Sequence, residues 1–538
     1  MRHGLYKVLT VIQVPMHSRF EAAFEGSLSY GNPVQDVRVM VEFTFDSEAF
    51  QVDAFWDGEN CWRVRFAPQR MGRWSWRTHC TRQDDRGLDD EQGEFDCCAS
   101  QSQNDWLTHG PLQISSDKRH LEYADGTPFF WLADTAWNGP LKSSDADWDV
   151  YLADRRKKGF SVIQCVATQW LGAVTDAQGR RAYSNPLRIQ IEPAFFQRLD
   201  RRIDRIDDFG FVAAPVLAWA ATWSQEGLLL NPGTSLSEDQ IVVLVRYIVS
   251  RYGAQPAVWI LSGDSTYIGA EAERWRQIGR AALANSPRLA TVHPSPRLWV
   301  DKEFEGEPWY SLNGYQSGQF NDAETARWIN RRARNPGSAM PTIDLEPCYE
   351  GHLPLETPGA EPMDALSVRR ACYWSLLAGP VAGVSYGAHG VWSWEESPTV
   401  PLNHPGAGLA RPWWEAIAFP GSGSMAHLGA VFNSIPWWRL DPRPQLLQNQ
   451  PGADAPLAFV AATCSPERDL AVVYAPEGGI VSIRPGVLIA GLEAHCIDPA
   501  TGTELWMQQV DENGWAFDCG AGGDRLLLFH LSTERNLR

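Results

Sequence analysis

Apolar and polar residues alternate along the first hundred residues of the chain, where no helical period is present. The runs with the two-residue period of a half-buried strand are Lys7–Val14, Arg38–Phe45, Ala49–Phe55, Cys61–Phe66 and Arg73–His79. Turn residues such as Asp57 and Gly58 separate them, and the polar stretch Arg82–Glu94 indicates a long exposed loop. The pattern predicts an N-terminal antiparallel β-sandwich over residues 1–104, a packing or specificity module without chemistry of its own.

From about residue 105 the pattern changes, and short apolar runs alternate with longer amphipathic segments. The apolar runs predicted as strands are Phe129–Ala133, Val162–Ala167, Val212–Leu217, Ala257–Leu261, Leu289–Val292, Trp309–Leu312, Pro341–Leu345 and Gly383–Tyr386. The predicted helices are Asp145–Lys158, Ala194–Phe209, Ser237–Tyr252, Ala270–Asn285, Asp301–Phe304, Ala323–Arg334, Asp364–Ala378 and a segment near Pro412–Phe419. Repeated strand–helix alternation is typical of parallel sheets covered by helices.

Eight strands with eight crossovers match a (β/α)₈ TIM barrel in number and size, and we predict this α/β fold for residues 105–435. A doubly wound open sheet is the alternative. Such a sheet normally carries a glycine-rich phosphate loop after its first strand, and Asp134–Gly139 is not one.

Beyond about Pro436 the two-residue alternation returns. The predicted strands are Leu457–Ala462, Leu470–Tyr474, Val481–Ile483, Ala494–Ile497, Leu505–Gln509, Trp515–Cys519 and Leu526–Phe529. Turns rich in Gly, Pro, Asp and Asn separate them. We therefore predict a C-terminal antiparallel β-sandwich over residues 436–538.

An acidic residue follows the fourth predicted barrel strand. The segment Ala257–Tyr267 is apolar up to Leu261 and then breaks into Ser262, Gly263 and Asp264. Barrel enzymes collect their catalytic groups at the C-terminal ends of the strands, where this carboxylate lies. An Asp in this position can also do no more than cap a turn.

A second acid ends the seventh predicted strand. Glu346 precedes Pro347, which favours an extended backbone and ends the strand. Acids after strands four and seven of a retaining glycosidase barrel lie about 5 Å apart, the separation that a nucleophile and an acid/base require. Asp264 and Glu346 are therefore predicted to face each other across the barrel mouth, although Asp344 and Glu350 are rival carboxylates nearby.

Aromatic and hydrogen-bonding residues recur at the same end of nearly every predicted strand. They are Asp134, Trp137, Gln169, Trp170, Trp219, His293, Tyr315, Gln316, Tyr349, His389, Trp392 and Trp394. A sugar pocket uses such a mixture, with π-faces for stacking and a few placed polar groups. We expect Trp137, Trp170 and Trp394 as walls. Taken singly, each Trp or His can equally be a packing residue.

Composition narrows the class of ligand. The chain has 47 Lys and Arg against 65 Asp and Glu, a net charge of −18, which disfavours nucleic acid and anionic membranes as partners. Its 25 Trp residues suit a carbohydrate substrate. The ten cysteines form no CxxC pair, so no metal or other cofactor is expected. We see no signal peptide and no spanning helix and expect a cytoplasmic protein, while formation of a homo-oligomer stays open.

Three motifs resemble a known family. LEYADGTPFFWLADTAWN at Leu121–Asn138, WILSGD at Trp259–Asp264 and LEPCYEG at Leu345–Gly351 resemble the apiosidase-like barrels, glycoside hydrolase family 140 and its relatives. VRFAPQRMGRWSWR at Val64–Arg77 resembles the β-sandwich that often precedes such barrels. The resemblance implies Asp264 and Glu346 as the catalytic pair. The activity characterised in that family is removal of apiose from plant pectin.

The expected function is hydrolysis of a glycosidic bond in a plant-type or related oligosaccharide. The acid must hold a proton while the nucleophile must not. Desolvation beside Trp259 and the charge of Glu346 favour Asp264 as acid/base and Glu346 as nucleophile. Two alternatives remain: a carbohydrate-binding protein without activity, and a metal-dependent sugar isomerase using His293, Asp264 and Glu346.

Overall fold

The computed structural model describes residues 12–334, 340–357, 359–510 and 515–531. Its centre is a barrel of eight parallel strands with helices outside. The strands are Trp131–Thr135, Val162–Val166, Val212–Trp219, Trp259–Ser265, Ala290–Pro294, Asn313–Tyr315, Thr342–Asp344 and Gly383–Tyr386. Most of their side chains are buried on both faces, as expected for strands covered by helices.

The sheet closes into a barrel between its fifth and sixth strands. Ser311 donates its backbone N–H to Ala290 O at 2.8 Å. Gly314 N donates to Oγ1 of Thr291 at 3.0 Å, and this hydroxyl donates to Leu312 O at 2.8 Å. A threonine side chain thus completes the ladder at the seam.

Helices of the barrel region connect and cover the strands. The α-helices of the chain are Pro33–Asp36, Asp105–His109, Gly139–Lys142, Asp145–Lys157, Pro193–Asp208, Gln225–Leu230, Pro232–Ser235, Glu238–Tyr252, Ala270–Leu283, Asp301–Phe304, Ala323–Arg334, Ala365–Leu377, Trp413–Ala416 and Pro420–Asn433. Several begin at caps that the sequence signals, such as Ser144, which accepts from Asp147 N, and Asp364, which accepts from Ser367 N. None of the helices in the described ranges has both the length and the apolar character of a membrane span.

The prediction for the sixth barrel strand is wrong. The sixth was expected at Trp309–Leu312 but lies at Asn313–Tyr315. Trp309 and Tyr310 instead pack on Phe304 in the connection before the strand. An apolar run buried in a connection cannot be distinguished by its pattern from a buried strand.

The N-terminal region forms two packed sheets. One contains, in spatial order, Ile12–Pro15, Gln92–Cys98, Gly72–Cys80, Val39–Phe45 and Glu48–Asp53; the other contains Phe20–Glu25, Cys61–Phe66 and Phe55–Gly58. Ile12–Pro15 pairs with Gln92–Cys98 in parallel, while the other pairings are antiparallel. Part of the predicted loop Arg82–Glu94 is therefore strand, and residues 7–11 of the first predicted strand lie outside the described residues.

The C-terminal region also contains two antiparallel sheets. The larger comprises Asp441–Pro442, Ala461–Cys464, Leu470–Ala475, Arg525–His530, Glu493–Ile497 and Glu504–Leu505; the smaller comprises Gly478–Ser482, Ala516–Ala521 and Gln508–Gln509. The start of the first predicted strand is wrong, because residues 456–458 form a 3₁₀ turn. A further three-stranded sheet, Leu112–Ile114, Leu121–Tyr123 and Pro128–Phe129, and the hairpin Tyr183–Ser184 with Gln190–Ile191 belong to the central region.

Buried ion pairs join both flanking regions to the barrel. On the N-terminal side Asp200 accepts from Arg251 at 2.7 Å and from Arg65 at 2.8 Å. On the C-terminal side Arg369 is paired with Asp524 at 2.8 Å, and Tyr474 donates to Asp524 at 3.0 Å. Buried charges persist only when paired in this way, so the orientation of each region on the barrel is specified.

Candidate active site

Asp264 lies at the C-terminal end of the fourth barrel strand, in a bulged segment. The pairing with the fifth strand shifts on both sides of Gly263, and Asp264 has a φ of 57°. Asp tolerates this left-handed conformation better than most residues. Ser295 secures the bulge, since its hydroxyl donates to Asp264 O at 2.8 Å and its N–H to Ser265 O at 2.9 Å. A bulge of this kind re-aims the side chain, here into the barrel mouth.

Glu346 lies two residues beyond the seventh strand. Its N–H donates to Oδ1 of Asp344 at 3.2 Å, and its carbonyl accepts from Gly318 N at 3.0 Å. The amide of Gln319 holds the side chain of Glu346. Nε2 of Gln319 donates to Oε1 of Glu346 at 3.0 Å, and Oε1 of Gln319 accepts from Tyr349 N at 2.7 Å. The Glu346 carboxylate is therefore anchored on one oxygen and 13% exposed.

His293, on the fifth strand, stands between the two acids and is fully buried. Its Nδ1 lies 3.8 Å from Oδ1 of Asp264, and its Nε2 lies 3.2 Å from Oε2 of Glu346. Burial lowers the pKa of His293, but the nearby carboxylates of Glu346 and Asp264 outweigh burial and the net pKa is raised. The two acids thus share one imidazole, each on its own nitrogen.

The protonation of Asp264 follows from its surroundings. Burial raises the pKa of this carboxyl, the charge on His293 lowers it, and the charge on Glu346 raises it, with a result of about 7. Gln316 donates from Nε2 to Oδ1 of Asp264 at 2.5 Å and to Pro294 O at 2.7 Å, which fixes the carboxyl in place. At neutral pH a large fraction of Asp264 therefore carries a proton.

The two acids open into one cavity of about 580 Å³, the barrel-mouth cavity. This volume is within the usual range for small-molecule sites. The lining residues are Trp137, Trp170, Trp219, Thr222, Trp223, Asp264, Thr266, Ser295, Pro296, Gln316, Gln319, Glu346, Tyr349, His352, Leu355, Trp392, His404, Pro405, Gly406 and Ala407. The predicted site residues Trp137, Trp170, Trp219, Gln316, Tyr349 and Trp392 are among them.

Hydrogen bonds fix the orientation of the aromatic walls. Nε1 of Trp137 donates to Tyr349 Oη at 2.9 Å, and Nε1 of Trp170 donates to Asn138 Oδ1 at 2.7 Å. Nε1 of Trp392 donates to His389 Nδ1 at 3.0 Å. Satisfied indole N–H groups leave the ring faces as rigid apolar surfaces. The walls are preorganised around the acids.

Gly263 permits one of these walls. A Cβ atom added at this position would lie 2.7 Å from a ring carbon of Trp219, closer than carbon atoms approach without a shift. The glycine before Asp264 thus lets an indole lie directly against the C-terminal end of the strand, beside the Trp170 ring at 4.4 Å between centroids.

Two predicted site residues near the first and second strands lie elsewhere. Asp134 is fully buried and accepts from Arg155 Nε and Tyr151 Oη, both at 2.6 Å. It joins the barrel to a helix and does not reach the cavity. Gln169 accepts from Ala182 N at 2.8 Å and lines a separate cavity of about 570 Å³. In both residues the polar groups bond to neighbouring elements, outside the lining of the barrel-mouth cavity.

Three further predicted residues lie behind the cavity wall. Tyr315 packs against Trp299 and Trp328, with centroid distances of 4.4 and 5.8 Å. His389 supports Trp392 from behind, and burial lowers its pKa to about 4, so it is neutral. Trp394, expected as a wall, is 1% exposed and stacks on Trp413 at 4.8 Å. All three lie outside the lining of the barrel-mouth cavity, because strand-end position alone does not decide which way a side chain turns.

The rival carboxylates have structural partners. Asp344 accepts from the hydroxyls of Ser317 and Ser375, each at 2.7 Å. Glu350 accepts from Tyr386 Oη at 2.7 Å and from Gly421 N at 2.9 Å. Neither lines the barrel-mouth cavity among the described residues.

Several cavity residues gave little signal in the sequence. Gln319, which holds Glu346, follows Gln316 by three residues in the same polar loop. His404, within 5.7 Å between ring centroids of Trp170, Trp223 and Trp392, comes from a distant loop after the eighth strand. Burial lowers the pKa of His404, which favours its neutral form. Long loops carry residues to the mouth that strand counting does not reach.

Two regions of the chain match known sequence families. A sequence profile described as "Apiosidase-like, catalytic domain" matches residues 115–439, and a profile of a domain of unknown function, DUF5060, matches residues 13–81. No curated protein matches the chain.

Solved structures with the same fold include three at a TM-score of 0.68. A glycoside hydrolase is 22% identical, covering 80% of this chain and 98% of its own; a family 5 glycoside hydrolase from Bacteroides vulgatus ATCC 8482 is 21% identical, covering 80% and 95%. A second protein from that organism, assigned provisionally to the glycoside hydrolases, is 18% identical and covers 97% of this chain and all of its own. These likenesses extend the shared fold beyond the barrel.

Proposed function

Since the chain belongs to the apiosidase-like family and is a glycoside hydrolase, we propose that it cleaves an oligosaccharide with retention of anomeric configuration, using Asp264 and Glu346. The observation that carries this proposal is the pair of carboxylates on opposite nitrogens of one buried imidazole, at the mouth of an aromatic-walled cavity. Family membership supports the reaction class, while the residue roles rest on the geometry and protonation of the site.

The cavity favours a neutral sugar. Aromatic rings form much of its wall, and among the described residues that line it there is no Lys or Arg to pair with a carboxylate or sulfate group. Two acids at the mouth would repel an anionic sugar. We infer that a neutral glycosyl unit, such as occurs in plant-type oligosaccharides, occupies the part of the cavity beside Asp264 and Glu346.

Asp264 and Glu346 have different roles in the reaction. Asp264 donates its proton to the glycosidic oxygen as the bond from that oxygen to the anomeric carbon breaks. Glu346 forms a bond to the anomeric carbon and gives a covalent glycosyl intermediate. Asp264, now ionised, takes a proton from water, the water oxygen bonds to the anomeric carbon, and the bond to Glu346 breaks.

His293 acts as a positioning residue in this scheme. It contacts both acids but lies behind them, and the lining of the cavity does not include it. A charged imidazole lowers the pKa of Asp264, while the carboxylate of Glu346 raises the pKa of His293. His293 therefore helps Asp264 to ionise after it has donated its proton.

The isomerase alternative does not fit this arrangement. Asp264 and Glu346 contact different nitrogens of His293, so one metal ion could not take all three groups as ligands. A binding protein without activity would not need a carboxyl whose pKa is raised to about 7 beside an anchored second carboxylate. A hydrolase fits both observations.

The proposal is tested by a screen of aryl glycosides and plant oligosaccharides of neutral sugars. We expect hydrolysis of at least one class, with the first product released in the anomeric configuration of the substrate when followed by proton NMR. Release of the opposite anomer would overturn the covalent mechanism, while the assignment of hydrolase activity would stand. Binding without cleavage across the whole screen would support the inactive binder.

The rim of the cavity provides a test of substrate stacking. Trp223 lines the cavity and is 54% exposed, while Trp414 is 48% exposed and lies outside the lining. We expect Trp223→Ala to lower kcat/KM about fivefold, because a stacking contact contributes about 1 kcal/mol, with little change in Tm. Trp414→Ala is the matched control and should retain wild-type kinetics. Equal kinetics in both variants would remove Trp223 from the substrate site.

The role of His293 predicts a displaced pH profile. Loss of its charge in His293→Gln raises the pKa of Asp264, so the alkaline limb of kcat/KM should move to higher pH. We also expect kcat to fall about 100-fold, because both carboxylates lose a positioning contact. The measurement is kcat/KM from pH 5 to 9 on an aryl glycoside. A lower kcat with an unmoved alkaline limb would reduce His293 to a packing role.

A further inference from the structure

A group of histidine and carboxylate side chains lies in the C-terminal region, far along the chain from the catalytic acids. Glu493 and His495 are on the strand Glu493–Ile497, two residues apart and so on one face. His530 lies directly opposite Glu493 on the neighbouring antiparallel strand Arg525–His530. One ligand atom from each of the three lies within 4.8 Å of the other two.

Hydrogen bonds define which nitrogen of each imidazole carries a proton. Nδ1 of His495 contacts Oε1 of Glu504 at 2.6 Å, and Nδ1 of His530 contacts Leu531 O at 2.7 Å. Both partners accept only, so each Nδ1 carries a proton, and Nε2 is the nitrogen of each ring that can bind a metal ion. A histidine that binds a metal ion through one nitrogen almost always donates from the other to a carboxylate or a carbonyl in this way.

The burial of His530 also points to a ligand at this group of side chains. This residue is 0% exposed, and its Nε2 has no hydrogen-bond partner among the residues that the structure describes. Buried polar atoms without a partner are rare and costly. On the opposite side Glu493 is 49% exposed, so the group is open to solvent and to an incoming ion.

We propose that Glu493, His495 and His530 bind a divalent transition-metal ion. Two imidazole nitrogens and one carboxylate are a common ligand set for zinc and related first-row ions, whereas calcium and magnesium prefer oxygen alone. Nε2 of His495 lies 3.6 Å from Oε2 of Glu493, so small side-chain rotations bring the ligands to bonding distance. The ion would link the last described strand to its neighbour and stabilise this sheet.

The experiment uses the full chain without an affinity tag, stripped with EDTA and dialysed. Zn²⁺ is titrated calorimetrically, Co²⁺ is followed by its visible absorption, and Tm is measured with and without Zn²⁺. We expect one Zn²⁺ per chain with micromolar or tighter affinity, tetrahedral Co²⁺ bands and a higher Tm. Absence of binding in the wild type would overturn the proposal.

Variants locate the ion. His495→Ala and His530→Ala should abolish the site, and Glu504→Ala, which removes the acceptor for His495, should weaken binding about 10-fold to 100-fold. His109→Ala is the matched control, because Nδ1 of His109 lies 2.6 Å from Asp125 in a pair elsewhere. If His530→Ala does not fold, Glu493→Gln replaces it, since that side chain is half exposed. Zn²⁺ binding that survives in the His495 and Glu493 variants would refute the site.

Discussion

Glu346→Gln is expected to be folded and almost inactive, with kcat lowered about 10⁴-fold or more on an activated aryl glycoside. The amide is close in shape to the carboxylate and can keep its contact with Gln319, but it cannot form the covalent bond to the anomeric carbon. Steady-state kinetics measure kcat, and circular dichroism on the same preparation checks that the variant is folded. A single-turnover experiment should show no burst of aglycone.

Glu350→Gln is the matched control for the nucleophile. Glu350 is a buried carboxylate four residues further along, but it is held by Tyr386 and the Gly421 N–H and lies outside the barrel-mouth cavity among the described residues. This variant should lose stability and retain kcat. If instead Glu350→Gln is inactive and Glu346→Gln retains more than about a tenth of wild-type kcat, the assignment of the nucleophile is wrong.

Asp264→Ala is the second change with a large expected effect. On substrates with poor leaving groups, kcat/KM should fall about 10²-fold to 10⁴-fold, because the group assigned to protonate the glycosidic oxygen is lost. With an activated aryl glycoside the first step no longer requires the acid, and the glycosyl intermediate accumulates. Added azide should then increase turnover and yield a glycosyl azide, which mass spectrometry and NMR identify.

The azide product distinguishes the two acids. After loss of Asp264 it should have the configuration of the substrate, because azide attacks the intermediate that Glu346 forms. A product of opposite configuration from Glu346→Ala is compatible with these roles. If azide restores Asp264→Ala with inversion, or restores Glu346→Ala with retention, the roles are reversed.

The pH profile of the wild type reports the same group. With the pKa of Asp264 raised to about 7, the required acid form dominates below pH 7 and is lost as pH rises through that value. We expect an alkaline limb of kcat/KM near pH 7 that is absent in Asp264→Ala. Asp344→Asn is the control, since burial raises the pKa of Asp344 to about 6 but its carboxylate is held by Ser317 and Ser375.

The barrel and its flanking sheets could be predicted from local patterns. Hydrophobic periodicity depends on neighbouring residues in the chain, so eight buried runs separated by amphipathic helices specify a parallel barrel without knowledge of any contact. The predicted helix Asp301–Phe304 agrees with the structure residue for residue. The same reasoning failed at Trp309–Leu312, where burial came from packing on a preceding helix and not from a strand.

The site could be predicted in part. Counting strands places Asp264 and Glu346 at one end of the barrel, because all parallel strands present their C-terminal ends to the same mouth. The count cannot say which way a side chain turns beyond the strand. Trp392 lines the cavity and Trp394, two residues later, stacks on Trp413 because the chain turns between them.

Residues close together in the chain were enough to predict the order of elements and the two acids at the strand ends. Motifs that resemble a known family indicated the reaction class. Tertiary structure alone decided that His293 lies between those acids, that Gln319 anchors one of them, and that His404 joins the wall. Periodicity and turn chemistry depend on residues a few positions apart in the chain. A pKa and a cavity depend on groups from distant parts of the chain, which only folding brings within a few ångströms of one another.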